Sequence, residues 1–411
     1  MGYIQKGSEK YWRGIGALFS GSFVTFALLY CFQPLIPVFS EQFELTPSYA
    51  SLSISLTTGF LAVCMLIISW LSDARGRKRI MAISLLSSAV VTVIVAFTNN
   101  FEVLLFLRGL QGILLAGFPA IAMVYINEEF DPRITGLVMG IYISGNSIGG
   151  LVGRIIVSTL TDYFSWSIAL GAMGFICILV SIWFWLSLPD SENFLPKKGL
   201  VKEIIPVLSR NLHNTELLSL NFIGFLIMGA FVTLYNYIGY SLMSSPYNLS
   251  QTVVGCIFFV YLVGTFSSTF MGKLADGLGS SKILCVSIAI MLSGALITVN
   301  SNLYIKIIGV AILTFGFFGG HSVASSWIGK CAGSDKAQAT SLYLLFYYLG
   351  ASVIGALGGK FLSWYAWNGV VILISLSLIV SLVLAMALAA KKTHYQVCTS
   401  NEWTRLGKVK Q

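Results

Sequence analysis

Three ionisable side chains stand inside long apolar runs, where charge is expensive: Arg108, Arg154 and His321. An arginine in hydrocarbon costs from about 2.5 to more than 10 kcal/mol according to the scale, so each must face protein or a water-filled cavity. Two kinds of role are open to them. They can bind substrate and take part in proton movement, or they can be locked to carbonyls or to the rim acids Glu102 and Asp162 and hold helices together. Arg108 opens the stretch Arg108-Gly-Leu-Gln111-Gly112, and Arg154 lies at similar depth in the next run, which puts both in reach of one cavity. His321 is the one group within a run whose unperturbed pKa is near neutral, and so is the candidate proton carrier. Set among Gly319, Gly320, Ser322 and Ser325, it can equally hydrogen-bond a neighbouring helix.

Side chains fit to form a binding wall gather in the same way. One run carries Tyr30 and Gln33, another Tyr235, Asn236 and Tyr240, and a third Tyr343, Phe346, Tyr347 and Tyr348. Aromatic walls with a few polar handles suit a small, partly apolar organic ligand. Interhelical packing and interfacial belts account for part of the same set. No Asp or Glu lies deep in a run; Glu41, Glu44, Glu102 and Asp162 sit at run ends or in loops. There is no Walker A sequence, no metal-spaced His/Cys set and no nucleophile elbow. ATP-driven transport, a metal centre and membrane-enzyme chemistry have no supporting motif, and no cofactor is expected. The seven cysteines form no CxxC pair and read as small apolar fillers.

Such residues need a scaffold of membrane helices. Of 411 residues, 56% are hydrophobic and 10% charged, with a mean hydropathy of +0.83, whereas a soluble domain carries about 25% charge. Apolar runs able to cross a hydrocarbon core about 30 Å thick recur along the whole chain. They cover 14–38, 49–71, 80–98, 103–126, 135–160 and 166–188, then 217–242, 251–274, 282–299, 303–328, 338–362 and 367–390. The fold class is therefore all-α polytopic, with twelve spans. Residues 1–188 and 217–390 are expected to form two six-helix bundles, with 189–216 a cytoplasmic linker and 391–411 a basic cytoplasmic tail. The net charge of +9 reflects topology and not nucleic acid. Of the 25 Lys and Arg, all but Arg108, Arg154, Lys306 and Lys360 fall on the side of the N-terminus, which the positive-inside bias makes cytoplasmic, both termini included. The first run follows Lys6, Lys10 and Arg13, lacks a small-residue cleavage site and reads as an uncleaved anchor.

The two bundles echo each other. Leu71, Asp73 and Gly76 of LSDARGRKR recur as Leu274, Asp276 and Gly279 of GKLADGLG at a constant offset of 203. Phe23-Val24-Thr25 returns as Phe231-Val232-Thr233, and Tyr142-Ile143-Ser144-Gly145 lines up with Tyr347-Tyr348-Leu349-Gly350. An internal duplication follows. The two polar turns resemble the motif G-x-L-x-D-R-x-G-R-R/K between helices 2 and 3 of the major facilitator superfamily. Leu71, Asp73, Gly76, Arg77 and Lys78 fit it, with Ser69 and Ala74 departing; the second copy fits at Gly272, Leu274, Asp276 and Gly279 and lacks the basic tail. The resemblance implies two bundles that rock about a site near the midplane, an architecture for which this superfamily is a standing example. It also implies gating roles. Asp73 is expected against the start of helix 11, whose dipole favours an anion, and Arg77 against Glu128 or Glu129 at the end of helix 4. Such contacts are expected only while the cytoplasmic gate is shut. Arg75, Arg77, Lys78 and Arg79 serve topology as well.

Gly145, Gly149 and Gly153 lie four apart and so share one flat helix face, on which another helix can pack. With Gly136 they also resemble the helix 5 antiporter motif G-x8-G-x3-G-P-x2-G-G, in which Gly150 stands for the proline and Arg154 for the last glycine. Arg108 to Gly112 resembles the R-x-x-Q-G pattern of proton-coupled members. Together these features look most like the YnfM-type, drug/proton-antiporter-like branch of bacterial inner-membrane transporters. The resemblance implies a monomeric, non-enzymatic secondary transporter that works by alternating access, exporting a small, partly apolar compound against inward proton movement. Its partners would be that substrate, protons and the lipid bilayer, with no nucleic acid. Many cation exporters of the superfamily use a buried carboxylate, which this chain lacks, so a symporter or facilitator for a polar or anionic metabolite or sugar is the alternative. A channel and a non-transporting sensor are the readings from other classes.

Overall fold

The computed structural model describes residues 2–194, 209–332 and 336–407; within these, the side chains of 69–75, 337 and 391–407 are not described. Part of the expected linker, 195–208, thus lies outside the described residues. Among the described residues, eleven helices are long and apolar enough to cross a membrane. One of them runs 53 residues, Gln338–Ala390, and unbroken would measure about 80 Å, far more than a hydrocarbon core of about 30 Å. It breaks at Tyr365 and Ala366, where φ/ψ turn to −136°/23° and 49°/−143°. Counted as two, the spans are the twelve that hydropathy indicates.

In chain order the spans are α1 (Glu9–Gln42), α2 (Leu52–Arg75), α3 (Arg77–Ala96), α4 (Phe101–Glu129), α5 (Thr135–Tyr163) and α6 (Trp166–Ser187). They continue with α7 (Thr215–Met243), α8 (Gln251–Leu278), α9 (Ser280–Ile297), α10 (Leu303–Cys331), α11 (336–364) and α12 (367–407). Helix α12 runs past the expected end of its span at 390 into the basic tail. Several starts carry side-chain caps, which meet N–H groups that no earlier turn can satisfy. Ser8, Asn100, Ser165, Asn214, Ser250 and Asn302 do this for α1, α4, α6, α7, α8 and α10.

Three spans are not uniform. The α-helical ladder of α1 stops at Tyr30, passes through a 3-10 turn at Gln33–Leu35 and resumes at Ile36–Gln42. Pro34 and Pro37 supply the cause, since neither has an N–H to donate. Helix α4 is broken between Leu115 and Pro119, and α8 tightens to 3-10 at Ile257–Val260.

The duplication seen in sequence is present in the backbone. Gly76 between α2 and α3 has φ/ψ of 90°/142°, and Gly279 between α8 and α9 has 95°/137°. These turns mark one end of the helix array, the basic end; the opposite is the far end. The small-residue stripes repeat as well. A Cβ on Gly145 would lie 2.5 Å from the Phe19 carbonyl oxygen, one on Gly149 2.3 Å from that of Phe23, and one on Gly153 2.8 Å from Ala27 Cα. Backbones of α1 and α5 thus touch along two turns. At the matching place in the second set, Gly350 of α11 meets the Phe225 carbonyl of α7.

The first six helices meet the last six at the far end, where hydrogen bonds join the two sets. Ser48 Oγ donates to the Ala356 carbonyl at 2.8 Å, Ser352 Oγ to that of Ser55 at 2.6 Å, and Gln251 Nε2 to that of Pro34 at 2.6 Å. The Thr252 amide donates to Asp162 at 3.2 Å, and the Tyr240 hydroxyl sits 2.6 Å from Ser40 Oγ. Glycines bring the backbones together: a Cβ on Gly359 would stand 2.2 Å from the Ser48 nitrogen, and one on Gly255 2.5 Å from Ser158 Cβ. The far end is sealed.

Gly76 and Gly279 each have open space where a Cβ would stand, so their demand is purely one of backbone conformation. Gly76→Ala and Gly279→Ala should each destabilise by about 1–3 kcal/mol. Thermal unfolding of the purified protein should show a lowered midpoint for both, and a wild-type midpoint would mean that the turns relax freely.

Candidate functional site

Arg108 sits in α4 with no exposed surface. Its Nε donates to the Ser53 carbonyl at 2.7 Å, Nη1 to that of Leu28 at 3.3 Å, and Nη2 to that of Leu29 at 3.1 Å. Nη1 also bonds Gln111 Oε1, and the Phe32 ring centre lies 3.8 Å from the guanidinium carbon. Gln111 passes the network on, donating from Nε2 to the Ser88 carbonyl at 3.0 Å and to Thr92 Oγ1 at 2.6 Å. The pair therefore joins α1, α2, α3 and α4. The carbonyls of Leu28 and Leu29 are those released where α1 stops being α-helical, so Arg108 serves as the donor for a helix end inside the membrane.

Arg154 in α5 is 1% exposed and has different partners. Its Nε donates to Gln33 Oε1 at 2.9 Å and Nη1 to the Gly150 carbonyl at 2.7 Å. Three rings surround it, Tyr30 at 4.5 Å, Phe258 at 4.6 Å and Tyr261 at 4.8 Å from the guanidinium carbon. Gln33 then donates to Asn236 Oδ1 at 2.7 Å, so the chain Arg154–Gln33–Asn236 crosses from the first six helices to the last six. Arg108 and Arg154 share no hydrogen-bond partner among the described residues, and neither has an ion pair with a carboxylate there. The expectation of one cavity lined by both is corrected on this point: Arg108 is turned into the packing of its own helix set. Gly150 also finds its reason, since a Cβ there would lie 3.1 Å from Arg154 Nη1. The guanidinium occupies the space that a side chain would need.

His321 in α10 is half-buried, with Nδ1 2.9 Å from the Tyr343 hydroxyl of α11. Its ring lies parallel to Phe317 within 8° and 4.6 Å from the centre of Tyr347. Tyr347 is half-buried too, and Tyr30 of α1 stands within electrostatic reach of it. The remaining expected wall residues are elsewhere. Tyr240 belongs to the far seal, Gln33 and Asn236 to the buried bridge beneath it, and Tyr235 is 2% exposed with its hydroxyl 2.8 Å from Thr314 Oγ1. Phe258, Tyr261 and Phe317 are site residues that sequence reasoning missed. Nothing in a single sequence tells which face of α8 crosses α5.

At the basic end, Arg77 meets Glu128 through Nε at 3.0 Å and Nη2 at 2.8 Å, and Lys78 meets Asp190 at 2.9 Å. Asp276, in the second copy, pairs with Lys330 at 3.2 Å. Glu129 has a different role, because its carboxylate accepts from the backbone N–H of Glu192 at 3.1 Å and of Asn193 at 3.0 Å, fixing the segment after α6. The Arg77–Glu128 contact is expected only with the cytoplasmic gate shut, yet it is present while the far end is sealed. Both residues belong to the first six helices, so relative motion of the two sets does not separate them. The Asp73 side chain lies outside the described residues. Gly136, the first glycine of the helix 5 pattern, has no atom within 4 Å of a Cβ and supports no packing.

Duplicated turns, twin small-residue stripes and a six-plus-six seal form one pattern, and the profile of the Major Facilitator Superfamily matches residues 18–245 and again 220–404. The chain belongs to that superfamily. It is 48% identical over 389 residues to the MFS-type transporter YybF of Bacillus subtilis, covering 95% of this chain and 96% of that one. It is 43% identical over 386 residues to the inner membrane transport protein YnfM of Escherichia coli, covering 94% and 93%. Among solved structures, a bacterial homologue of the human lysosomal transporter Spinster aligns with a TM-score of 0.73 at 14% identity, over 94% of this chain and 96% of that one. That likeness shows the fold. The protein is thus a multi-pass membrane transporter of this superfamily.

Arg108→Ala would leave the Leu28 and Leu29 carbonyls, released by the break in α1, without their guanidinium donor, at about 1–3 kcal/mol for each unmet group. The variant should unfold at a lower temperature in detergent and accumulate less in membranes, whereas Arg154→Ala, which deprives fewer acceptors, should stay nearer the wild type. A wild-type midpoint for Arg108→Ala would remove the anchoring role.

Proposed function

We propose that this transporter works by alternating access as a proton-coupled exporter of a small, partly apolar organic compound, with both termini in the cytoplasm of a bacterial cell and the monomer as the working unit. The observation that carries the reading is the cluster of half-buried His321 and Tyr347 with buried Tyr343, beneath a sealed far end and with Tyr30 of the first helix set within electrostatic reach of Tyr347. Residues 1–188 and 217–390 are the rocking bodies and 189–216 their tether. Asp73, with Gly76, Arg77 and Lys78, and Asp276, with Gly279, govern the basic end.

The proposed proton site is His321. A neutral imidazole can accept the Tyr343 hydroxyl proton at Nδ1, and a protonated one can donate to the same oxygen. The 2.9 Å bond therefore survives a change of charge by reversing direction. Phe317 and Tyr347 flank the ring. Substrate entering between α10, α11 and α1 would contact the same rings, so protonation and binding compete for one place, as exchange requires.

A specific observation favours a second reading. Arg154 is buried among rings with no carboxylate partner among the described residues. An organic anion would be drawn towards that uncompensated charge, and transport of a polar or anionic metabolite, with or without protons, would then replace drug-like export.

Proteoliposomes with an acid interior and an internal pH dye separate the readings. Lipophilic cations, organic anions and sugars are added one at a time. Collapse of the gradient by one class, abolished in His321→Gln, is the expected result and names the substrate class. Tracer exchange without any proton movement would overturn coupling and leave a facilitator.

A further inference from the structure

Outside the central region, one concavity combines an apolar channel with a charge that has no partner among the described residues. It is a groove of about 650 Å³ on the outer surface of α2, α3 and α4, towards the basic end. Ile68, Ile80, Ile83, Ile113 and Leu114 line it, and Arg79 stands at its rim. The break in α4 makes the space. Between Leu115 and Pro119 the helix is interrupted, and Gly117 there approaches Ser84 of α3 so closely that a Cβ would lie 2.9 Å from Ser84 Cβ. Ser84 Oγ turns inward to the Leu114 carbonyl at 2.5 Å. Two small residues thus form the floor where larger ones would have filled the gap.

The walls show what belongs in it. Ile83 and Ile113 are 47% and 37% exposed, and the apolar surface continues over Val90, Phe106 and Leu110, so the groove opens sideways onto the part of the protein that faces hydrocarbon. Its charged rim is distinct from its neighbours. Arg77 is engaged by Glu128 and Lys78 by Asp190, whereas Arg79 is exposed and has no acceptor among the described residues. Arg79 also lies in the first turn of α3, where unpaired N–H groups add positive potential. An acyl chain in the groove would bring its headgroup phosphate to this arginine, at the depth where a membrane surface carries its anionic lipids.

We propose that this groove is a binding site for one anionic phospholipid, with an acyl chain against the isoleucines and the phosphate on Arg79. None of the groove residues takes part in the hydrogen bonds of the Arg108–Gln111 network.

Native mass spectrometry of the purified protein, titrated with phosphatidylglycerol and with phosphatidylcholine of identical chains, tests the assignment. One tightly held phosphatidylglycerol is expected, with affinity about fivefold above phosphatidylcholine, the discrimination one arginine near a charged surface supplies. Arg79→Gln should abolish that preference and leave phosphatidylcholine binding as it was. Ile113→Trp, which fills the groove without changing charge, should weaken both lipids. Equal retention of the two lipids by the wild type, or a preference untouched by Arg79→Gln, would overturn the proposal. Free glycerol phosphate competing as well as the whole lipid would also overturn it, since the groove would then contribute nothing. Displacement by transported compounds in place of lipid would reassign the groove to substrate.

Discussion

Inside a bilayer no water meets a carbonyl that its own helix has abandoned, and this constraint organises the first six helices. Pro34 and Pro37 force α1 out of its ladder partway through the membrane. Leu28 and Leu29 are left with carbonyls that need donors, and Arg108 supplies them from α4 while also gripping Ser53 of α2. A guanidinium is suited to this, because it offers five donors in a rigid plane and cannot lose its proton. What looks in sequence like a charge awaiting a substrate is in the structure a replacement for missing backbone donors.

The broken segment of α1 then reaches features that a straight helix could not. The 3-10 turn carries Gln33 to Arg154 on one side and Asn236 on the other, and it presents the Pro34 and Ile36 carbonyls to Gln251 and Tyr240 of the second helix set. One local defect in a helix therefore contributes much of the contact between the two sets. The glycines at Gly255 and Gly359 complete the seal by letting backbones touch. Close backbone approach is the available means of tight contact in lipid, where apolar side chains gain little by leaving the hydrocarbon.

Hydropathy made the twelve spans legible, because crossing a bilayer requires a long apolar run whatever its partners. The paired turns at Gly76 and Gly279 were legible as well, since a positive φ demands glycine and so leaves a mark in sequence. Other features left no such mark. The acceptors of Arg108 are backbone carbonyls, which occur at every residue, so no residue type could point to them. Phe258 and Tyr261 became partners of Arg154 only through the crossing of α5 and α8, and an aromatic residue in a membrane helix has too many ordinary uses to announce that one. As residues in a string, the two buried arginines look alike; geometry separates them, one within a single helix set and one at the junction of both.

That junction ties the charge of Arg154 to the state of the seal. Of its three rings, Tyr30 belongs to the first set, whereas Phe258 and Tyr261 belong to the second, as does the Asn236 end of the glutamine bridge. In the alternating access proposed above, motion that parts the two sets would remove two cation–π contacts, each of about 0.5–2 kcal/mol, and break the bridge. It would also admit water, which would hydrate the guanidinium in their place. Closure reverses the exchange, trading hydration for rings and an amide. Two opposed terms thus act on the seal, and in the proposed exchange a bound solute would add the third that decides which side stands open. A carboxylate beside Arg154 would weight one state permanently; rings and an amide hold the charge without fixing the gate.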